Sequence, residues 1–252
     1  MTVLPKAPSP VTFVGAGPGA AAHLTLGAYH ALQAAEVVIH DRLVGAEILA
    51  LIPANARQID MGKEGFGPSQ PQSNINAVLV AQALTGAKVV RLKGGDCGIF
   101  GRLDEEIEAL EAAGLAFTIL PGLTAASVAA ASIGQSLTRR GRNASLRILT
   151  GHDVAGFAEQ DWRGMAQPGE VAAIYMGKKS ARYIQGRLMM HGAAADTSVT
   201  LIENVSRPDQ RILAATLATL PQSAAALTGP AVILYGLSPR SAALPALMES
   251  LA

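Results

Sequence analysis

The sequence predicts an α/β protein of two domains, each built on a mixed sheet. Short runs of β-branched residues recur along the 252-residue chain, and each leads through a glycine-rich or polar turn into a stretch with helical spacing. Strands that alternate with helical crossovers form largely parallel or mixed sheets. The length, divided by a typical domain size of roughly 150 residues, fits one large domain or two modest ones.

In the first half, the predicted strands end in loops of small or charged residues. Strand 11–14 enters a glycine-rich turn, and a helix follows over 24–35, which Thr25 could begin. The polar, glycine- and proline-rich segment 61–73 is predicted to be an unusually long loop. The other predicted elements of this half are strands 37–40, 88–92 and 117–120 and helices 46–51, 74–84 and 104–113.

The composition changes after Pro121 and Gly122, and the same alternation begins again. We therefore predict a boundary near residue 120, with an N-terminal α/β domain over 1–120 and a C-terminal α/β domain over 121–252. The predicted elements of the second half are helices 125–132, 181–191 and 217–226 and strands 146–150, 171–176, 199–203 and 231–235.

The composition excludes several classes of protein. Lys and Arg number 20 against 19 Asp and Glu, so a protein that binds nucleic acid by bulk attraction to phosphate is not expected. The single cysteine, Cys97, closes no intrachain disulfide and supplies no cysteine-rich metal site, which favours a reducing cytoplasm. Proline, glycine or polar residues interrupt each of the long charge-free stretches, so none offers the roughly 20 apolar residues that span a bilayer. We expect a cytoplasmic protein that binds neither nucleic acid nor membrane.

The residues with chemical potential lie where the predicted strands end, which is where open α/β sheets bind ligands. The segment 15–20 fits the G-x-G-x-x-G/A loop of dinucleotide-binding proteins, and Asp41 follows the next strand, where such a fold places its ribose-binding acid. A dinucleotide loop, however, opens directly into a helix, whereas about six residues separate Gly19 from the first convincing helical position here. A nicotinamide-dependent dehydrogenase stays an alternative, as do glycines that only turn the chain.

Taken together, the loop motifs resemble the tetrapyrrole methylase family. The resemblance covers about residues 10–237 and rests on GAGPG (15–19), HDR (40–42), VVRLKGGD (89–96), FGR (100–102), PGLTA (121–125), SLTRR (136–140), TGH (150–152), YMG (175–177) and ENVS (203–206). It implies two α/β domains with S-adenosylmethionine in the interdomain cleft, usually in a homodimer. It implies no metal, because the thioether that leaves a sulfonium is already a good leaving group and catalysis is mostly alignment.

The resemblance assigns cofactor contacts in both halves of the chain. Small residues would let the backbone approach the ligand closely, and an acid could accept hydrogen bonds from the ribose hydroxyls. The implied contacts are Pro18, Gly94, Gly95, Asp96, Ile99, Thr124, Ala125, Met176 and Val205. For Ile99, Ala125 and Val205 ordinary packing is an equal alternative, and Met176 could be a core methionine at a strand end.

The resemblance also assigns catalytic roles. Asp41 is the implied proton acceptor and Lys63 the implied proton donor, and a base is useful because the methylated macrocycle must lose a proton. Glu105 matches a second acidic position that could act as the base. It could equally be a solvated residue in the first turn of a helix, where the helix dipole favours acids.

The implied substrate, uroporphyrinogen III, carries eight carboxylates, so a near-neutral protein must concentrate arginines around it. Arg102 and Arg140 match the substrate arginines of the family, and Arg102 is counted with the catalytic residues. Met176 is expected where cofactor and substrate meet. Weaker candidates are Arg42, Arg139 and Arg142.

The function that the resemblance implies is S-adenosylmethionine-dependent C-methylation of uroporphyrinogen III at C2 and C7 to give precorrin-2, on the routes to siroheme, cobalamin and haem d1. Another precorrin methyltransferase of cobalamin biosynthesis is the nearest alternative, and a non-catalytic tetrapyrrole or cofactor sensor is a third. The chain departs from the usual family pattern in having GGDC for GGDP and LTRRG for LTHRD. These changes flank the implied cofactor and substrate loops.

Overall fold

The computed structural model describes residues 7–62, 71–154 and 156–242. It contains two compact units, of which the first ends at Thr124 and the second begins at Ala125. Helices and strands alternate in both units, so the predicted α/β class is confirmed. In the described ranges, no helix combines the length and the apolar character needed to cross a membrane.

A parallel sheet of five strands organises the first unit. The described elements of this unit are β1 (Val11–Gly15), α1 (Leu26–Gln33), β2 (Val37–His40), α2 (Ala46–Leu49), β3 (Arg57–Asp60), α3 (Gln72–Leu84), β4 (Val89–Lys93), α4 (Leu103–Ala112) and β5 (Phe117–Leu120). The strand order is β3-β2-β4-β1-β5, and every pairing is parallel. The carboxyl ends of all five strands therefore lie at one edge of the sheet.

Helices cover both faces of this sheet, because alternate residues of a strand point to opposite sides. Val14 of β1 packs in a cluster with Leu32 of α1 and Ile48 of α2. Its neighbour Phe13 packs in another cluster with Leu79 of α3. The central strands are thus buried on both faces, which explains their nearly continuous hydrophobic sequence.

A mixed sheet of five strands organises the second unit. The described elements of this unit are α5 (Ala125–Ser132), β6 (Arg147–Thr150), β7 (His152–Asp153), β8 (Gly156–Phe157), α6 (Trp162–Met165), β9 (Ala172–Tyr175), α7 (Ala181–Met190), β10 (Ser198–Glu203), β11 (Arg211–Thr216), α8 (Leu220–Ala225) and β12 (Ala231–Tyr235). The order is β11-β10-β12-β9-β6, and within this sheet only β6 and β9 of the described strands pair in parallel. The predicted mixed pairing therefore occurs in this sheet, whereas the first sheet is parallel. β7 and β8 form a separate ladder.

The predicted elements are present, with ends within three residues of the expected ones. Thr25 caps α1 as expected, since its side chain accepts a hydrogen bond from the amide of Ala28 at 3.2 Å. The loop predicted over 61–73 is too long at its end, because α3 already begins at Gln72. Most of that segment, residues 63–70, lies outside the described residues.

Strands β3 and β11 are not predicted from the sequence. Each is an edge strand of its sheet, and both are largely exposed or only half-buried. The polar strand β3 lacks the continuous hydrophobic run by which the buried strands are identified. The apolar run of β11, residues 212–215, is too short for periodicity to distinguish a strand from a helix. The short helix α6 and the β7–β8 ladder are likewise too short to give a periodic signal.

Candidate functional site

Three loops of small residues meet at the carboxyl edge of the first sheet. They follow β1, β4 and β5 and hold the GAGPG, GGD and PGLT motifs. Gly17 and Gly95 exchange two backbone hydrogen bonds with N–O distances of 3.0 and 2.8 Å. The amide of Gly122 donates to Oδ2 of Asp96 at 3.0 Å. Most of the cofactor contacts predicted in this unit are therefore brought together.

Glycine is required at this meeting point because the backbones touch. A Cβ on Gly15 would overlap the backbone of Gly122, and a Cβ on Gly122 would overlap the carbonyl oxygen of Gly95. Gly95 has a φ of +73°, in the left-handed region that favours glycine. A Cβ built on Gly95 meets no atom of the described residues within 4 Å. The backbone at Gly95 thus borders open space that a ligand could occupy.

The other predicted cofactor residues of the first unit flank the same loops. Asp96 uses both carboxylate oxygens to hold them, because Oδ1 accepts from the amide of Gly98 at 2.9 Å. Pro18 is buried in the bend that follows β1, and Ile99 is half-buried beside the turn at Asp96. Thr124 is half-buried at the end of the PGLT segment.

Asp41 lies at the same edge, directly after β2. Its Oδ1 accepts a hydrogen bond from Nη2 of Arg91, on the adjacent strand β4, at 2.7 Å. The side chain of Asp41 is 31% exposed, whereas that of Arg91 is 1% exposed. A partly exposed carboxylate is therefore fixed by a buried guanidinium group.

A buried ion cluster lies behind Asp41. Glu106 of α4 accepts hydrogen bonds from Nε and Nη2 of Arg91 at 3.0 and 2.9 Å and from Nζ of Lys93 at 2.8 Å. Arg91, Lys93 and Glu106 are not among the site residues predicted from the sequence. The signal that could have found them is the alternation of VVRLK, which places the two cations on one face of a buried strand.

The electrostatics of this cluster keep Arg91 and Glu106 ionised. Burial by itself would lower the pKa of Arg91, but the charges of Asp41 and Glu106 raise it above its ordinary value. Burial by itself would raise the pKa of Glu106, but hydrogen bonds and charges from Arg91 and Lys93 hold it below its ordinary value. The cluster is therefore a set of buried charges that stabilise one another.

Arg102 and Glu105, both predicted site residues, form an exposed ion pair. Nε and Nη2 of Arg102 donate to Oε1 and Oε2 of Glu105 at 2.7 and 2.6 Å. The hydrogen bond from Arg102 lowers the pKa of Glu105. Both side chains line a hollow of about 320 Å³ in the segment after β4. Glu105 occupies the first turn of α4, as its alternative interpretation expects.

In the second unit, Tyr175 links two segments with predicted cofactor residues. Its hydroxyl accepts a hydrogen bond at 2.8 Å from the amide of Ala126, which follows Ala125 at the start of α5. Met176 comes directly after β9, has a φ of +53° and is 51% exposed, so it is not a core methionine. Val205 is buried in the same hydrophobic cluster as Ala126, and Ala125 packs against that cluster. The side chains of Ala125 and Val205 therefore do contribute to packing.

Arg140 belongs to a local cluster of positive charge in the second unit. With Arg139 and Arg142 it lines a hollow of about 490 Å³. Arg142 is engaged by the protein, because its Nη2 donates to the carbonyl oxygen of Ser136 at 2.8 Å. Arg139 and Arg140 are exposed. Such a concentration of arginines is what a near-neutral chain needs to hold an acidic ligand.

Several other candidates can be placed against the structure. Lys63 lies outside the described residues. Cys97 is buried, and burial raises the pKa of its thiol to about 11. A single turn of 3₁₀ helix, Ala21–His23, follows the glycine loop, and α1 begins only at Leu26, so the loop does not open directly into an α-helix as a dinucleotide loop does. Within the described ranges, no group of three or more His, Cys, Asp or Glu side chains is arranged to hold a metal ion.

The chain is similar in sequence to known proteins. A sequence model of the tetrapyrrole (corrin/porphyrin) methylases matches residues 10–221. Siroheme synthase 3 of Aeromonas hydrophila subsp. hydrophila is 44% identical over 226 residues, which cover 90% of this chain and 48% of that protein. The siroheme synthase of Methylococcus capsulatus is 44% identical over 229 residues, with coverages of 90% and 48%. The chain spans about half the length of these curated relatives.

Solved structures share the fold. The complex of uroporphyrin-III C-methyltransferase from Thermus thermophilus with S-adenosylhomocysteine has a TM-score of 0.77 and 33% identity, covering 90% of this chain and 97% of that one. A cobalt precorrin-4 methyltransferase has a TM-score of 0.79 at 22% identity, with coverages of 90% and 94%. At that identity the likeness concerns the fold alone.

Proposed function

Since the chain belongs to the tetrapyrrole (corrin/porphyrin) methylase family, we propose that it transfers methyl groups from S-adenosylmethionine to uroporphyrinogen III. Methylation at C2 and C7 would give precorrin-2 and two molecules of S-adenosylhomocysteine. The observation that carries this proposal is the meeting of three glycine-containing loops next to a carboxylate held by a buried arginine. Small residues give a ligand access to the backbone, and a fixed carboxylate is suited to accept a proton.

The residues that would hold S-adenosylmethionine can be named for each unit. In the first unit they are Pro18, Gly94, Gly95, Asp96, Ile99 and Thr124, and in the second unit Ala125, Met176 and Val205. The open space beside Gly95 fits this role. Each oxygen of Asp96 accepts one backbone hydrogen bond and has a further lone pair with which it could accept one from a ribose hydroxyl. When bound, the sulfonium supplies an activated methyl group with a good leaving group.

The chain itself contributes orientation and proton transfer. The pyrrole carbon is the nucleophile, and the methylated ring must afterwards lose a proton. Asp41 is the proposed acceptor, because Arg91 fixes its Oδ1 while Oδ2 has no hydrogen-bond partner within the described residues. Lys63 is the proposed donor. Glu105 is a second candidate base, although Arg102 engages both of its oxygens.

Arginines would hold the carboxylates of the substrate. Arg102 and Arg140 are the proposed anchors, and each lines a hollow in its own unit. In the structure Arg102 already forms a two-point pair with the carboxylate of Glu105, the geometry that a substrate carboxylate would adopt. A carboxylate of the bound substrate would therefore take the place of the Glu105 carboxylate at Arg102.

The decisive experiment is an anaerobic assay of the purified 252-residue chain with uroporphyrinogen III and S-adenosylmethionine. We expect a product that carries two additional methyl groups and that, after subsequent two-electron oxidation by air, absorbs like an isobacteriochlorin. If no methylated product forms, the substrate assignment is wrong. A parallel assay with precorrin-2 as substrate separates the proposed reaction from a later methylation on the route to cobalamin.

A variant of Arg102 tests the substrate site. Arg102→Ala should raise the KM for uroporphyrinogen III about 10- to 100-fold, the range for a lost hydrogen bond between charged groups. The Kd for S-adenosylhomocysteine, measured by calorimetry, should stay near the wild-type value. Arg57→Ala, at an exposed arginine on β3, is the matched control and should change neither constant. An equal loss of substrate and cofactor affinity in Arg102→Ala would contradict the assignment.

We also propose that the protein works as a homodimer, as the family resemblance implies. Light scattering on the purified chain should then give about twice the mass of one chain. A monomeric mass at assay concentration would exclude the dimer without affecting the proposed reaction.

A further inference from the structure

We propose that Arg91 is a positioning residue for the reaction, which acts by holding Asp41 in place at the carboxyl edge of the first sheet. This inference rests on the proposed function, since it assumes that Asp41 accepts a proton. It assigns a role to a side chain that is 1% exposed and lies in the strand before the GGD loop. Its basis is the pattern of hydrogen bonds made by a single guanidinium group.

The guanidinium of Arg91 joins a buried carboxylate to a partly exposed one. Its Nε and Nη2 form a two-point pair with Glu106 at 3.0 and 2.9 Å. The second hydrogen of Nη2 is directed to Oδ1 of Asp41 at 2.7 Å. Because the planar fork is fixed by Glu106, the direction of the bond to Asp41 is fixed as well. Arg91 thereby limits rotation of the Asp41 carboxylate and leaves its Oδ2 unengaged within the described residues.

Asp41 also balances the formal charge of the groups around Arg91. The buried part of the cluster contains two cations, Arg91 and Lys93, and one anion, Glu106, so its net charge is +1. Asp41 supplies the second anion and makes the set of four neutral.

The energetics argue against a role in stability alone. Burying ions costs several kcal/mol each, and well-packed apolar residues often stabilise a protein as well or better. The cluster nevertheless lies within hydrogen-bond distance of the proposed proton acceptor. Its position next to Asp41 is explained if the cluster serves orientation rather than folding.

The second unit offers a matched control. Arg147 also lies between two carboxylates, with Nη1 at 3.0 Å from Asp161 and Nε at 3.2 Å from Glu170. It begins β6, at the amino end of that strand, and contacts no proposed site residue through these bonds. A change at Arg147 therefore removes an arginine that pairs with two carboxylates, at a more exposed place and without touching Asp41.

The test is a double-mutant cycle on kcat with Arg91→Met and Asp41→Asn. Arg91→Met should lower kcat about tenfold or more in the wild-type background and less than about twofold in the Asp41→Asn background, because the arginine acts through the carboxylate. The Kd for S-adenosylhomocysteine should change less than about twofold. Arg147→Met should leave kcat within about twofold in both backgrounds. Asp41→Asn removes the proposed base and should lower kcat roughly 10²- to 10⁴-fold. A radiolabelled methyl donor and long incubations keep such slow rates measurable.

The outcomes separate this inference from the proposed function. An equal loss of kcat from Arg91→Met in both backgrounds, or a parallel loss of cofactor affinity, would overturn the positioning role and leave the proposed reaction intact. A wild-type rate in Asp41→Asn would instead refute the role proposed for Asp41. If Arg91→Met does not fold, Arg91→Lys replaces it in the same cycle, because a lysine keeps the charge but cannot reproduce the two-point pair.

Discussion

Two arginines of this protein each lie between two carboxylates, and the two clusters differ in burial. Arg91 of the first unit binds Asp41 and Glu106 at 2.7 to 3.0 Å. Arg147 of the second unit binds Asp161 and Glu170 at 3.0 to 3.2 Å. The side chain of Arg91 is 1% exposed and that of Arg147 is 30% exposed.

This difference in burial predicts different costs in stability for the loss of the two clusters. Water screens an exposed pair, so its contribution to stability is small and its loss is tolerated. A buried pair is costly to form and still more costly to break on one side. The buried cluster also reaches the carboxyl edge of a parallel sheet, where ligands bind, whereas Arg147 stands at the amino end of its strand.

The largest effect should follow from removing the buried carboxylate. Glu106→Ala leaves Arg91 and Lys93 buried without their shared partner, and we expect a loss of about 3–5 kcal/mol in the free energy of unfolding. Glu170→Ala, the corresponding change in the second unit, should cost less than about 1 kcal/mol. Urea unfolding followed by far-ultraviolet circular dichroism measures both. Equal losses would show that burial does not distinguish the clusters.

A smaller effect should appear at Cys97, whose thiol is a reporter close to the buried cluster. Its pKa is about 11 instead of the ordinary 9.0, because burial disfavours the thiolate more than the charge of Lys93 favours it. At pH 8 the native thiol should react with a disulfide reagent about 100-fold more slowly than the thiol of the urea-unfolded chain. Rapid reaction of the native protein would mean that this region opens readily.

The sequence predicts much of this architecture but not the cluster itself. The strand over 88–92 follows from its β-branched residues, and alternation already sets Arg91 and Lys93 on one face. Which acidic residue of α4 contacts these two cations depends on helix geometry. Adjacent residues of a helix point about 100° apart, so Glu105 is exposed beside Arg102 whereas Glu106 is buried against Arg91.

The candidate site, too, could be predicted only in part from the sequence. The loop motifs indicate where glycines and acids stand along the chain, and parallel strands bring the ends of β1, β4 and β5 to one edge. The contact of Gly122 with Asp96 joins segments 26 residues apart in sequence, and no local pattern specifies it. The role of Lys63 stays a prediction, because it lies outside the described residues.

A further effect, smaller than the ones above, is the dependence on pH of the stability that Glu106 contributes. The pKa of Glu106 is below its ordinary value of 4.5, so its contribution to stability is complete above pH 4.5 and is lost as the pH falls through the lower, folded value. The difference in unfolding free energy between the wild type and Glu106→Gln should therefore shrink as the pH falls below 4.5. Urea titrations at a series of acid pH values measure this, and a constant difference would contradict the assignment.

The smallest effect should be the response to salt. At 1 M ionic strength the screening length is about 3 Å, so the partly exposed bonds of Arg147 should weaken while the buried bonds of Arg91 should not. The stability cost of Arg147→Met, less than about 1 kcal/mol at low salt, should vanish in 1 M sodium chloride. The cost of Glu106→Ala should persist, because water and ions do not reach the cluster. Urea is the denaturant of choice since it adds no ions. A cost of Glu106→Ala that disappears in salt would mean that solvent enters the first cluster, and the contrast between the two arginines would then lie in their position rather than in their burial.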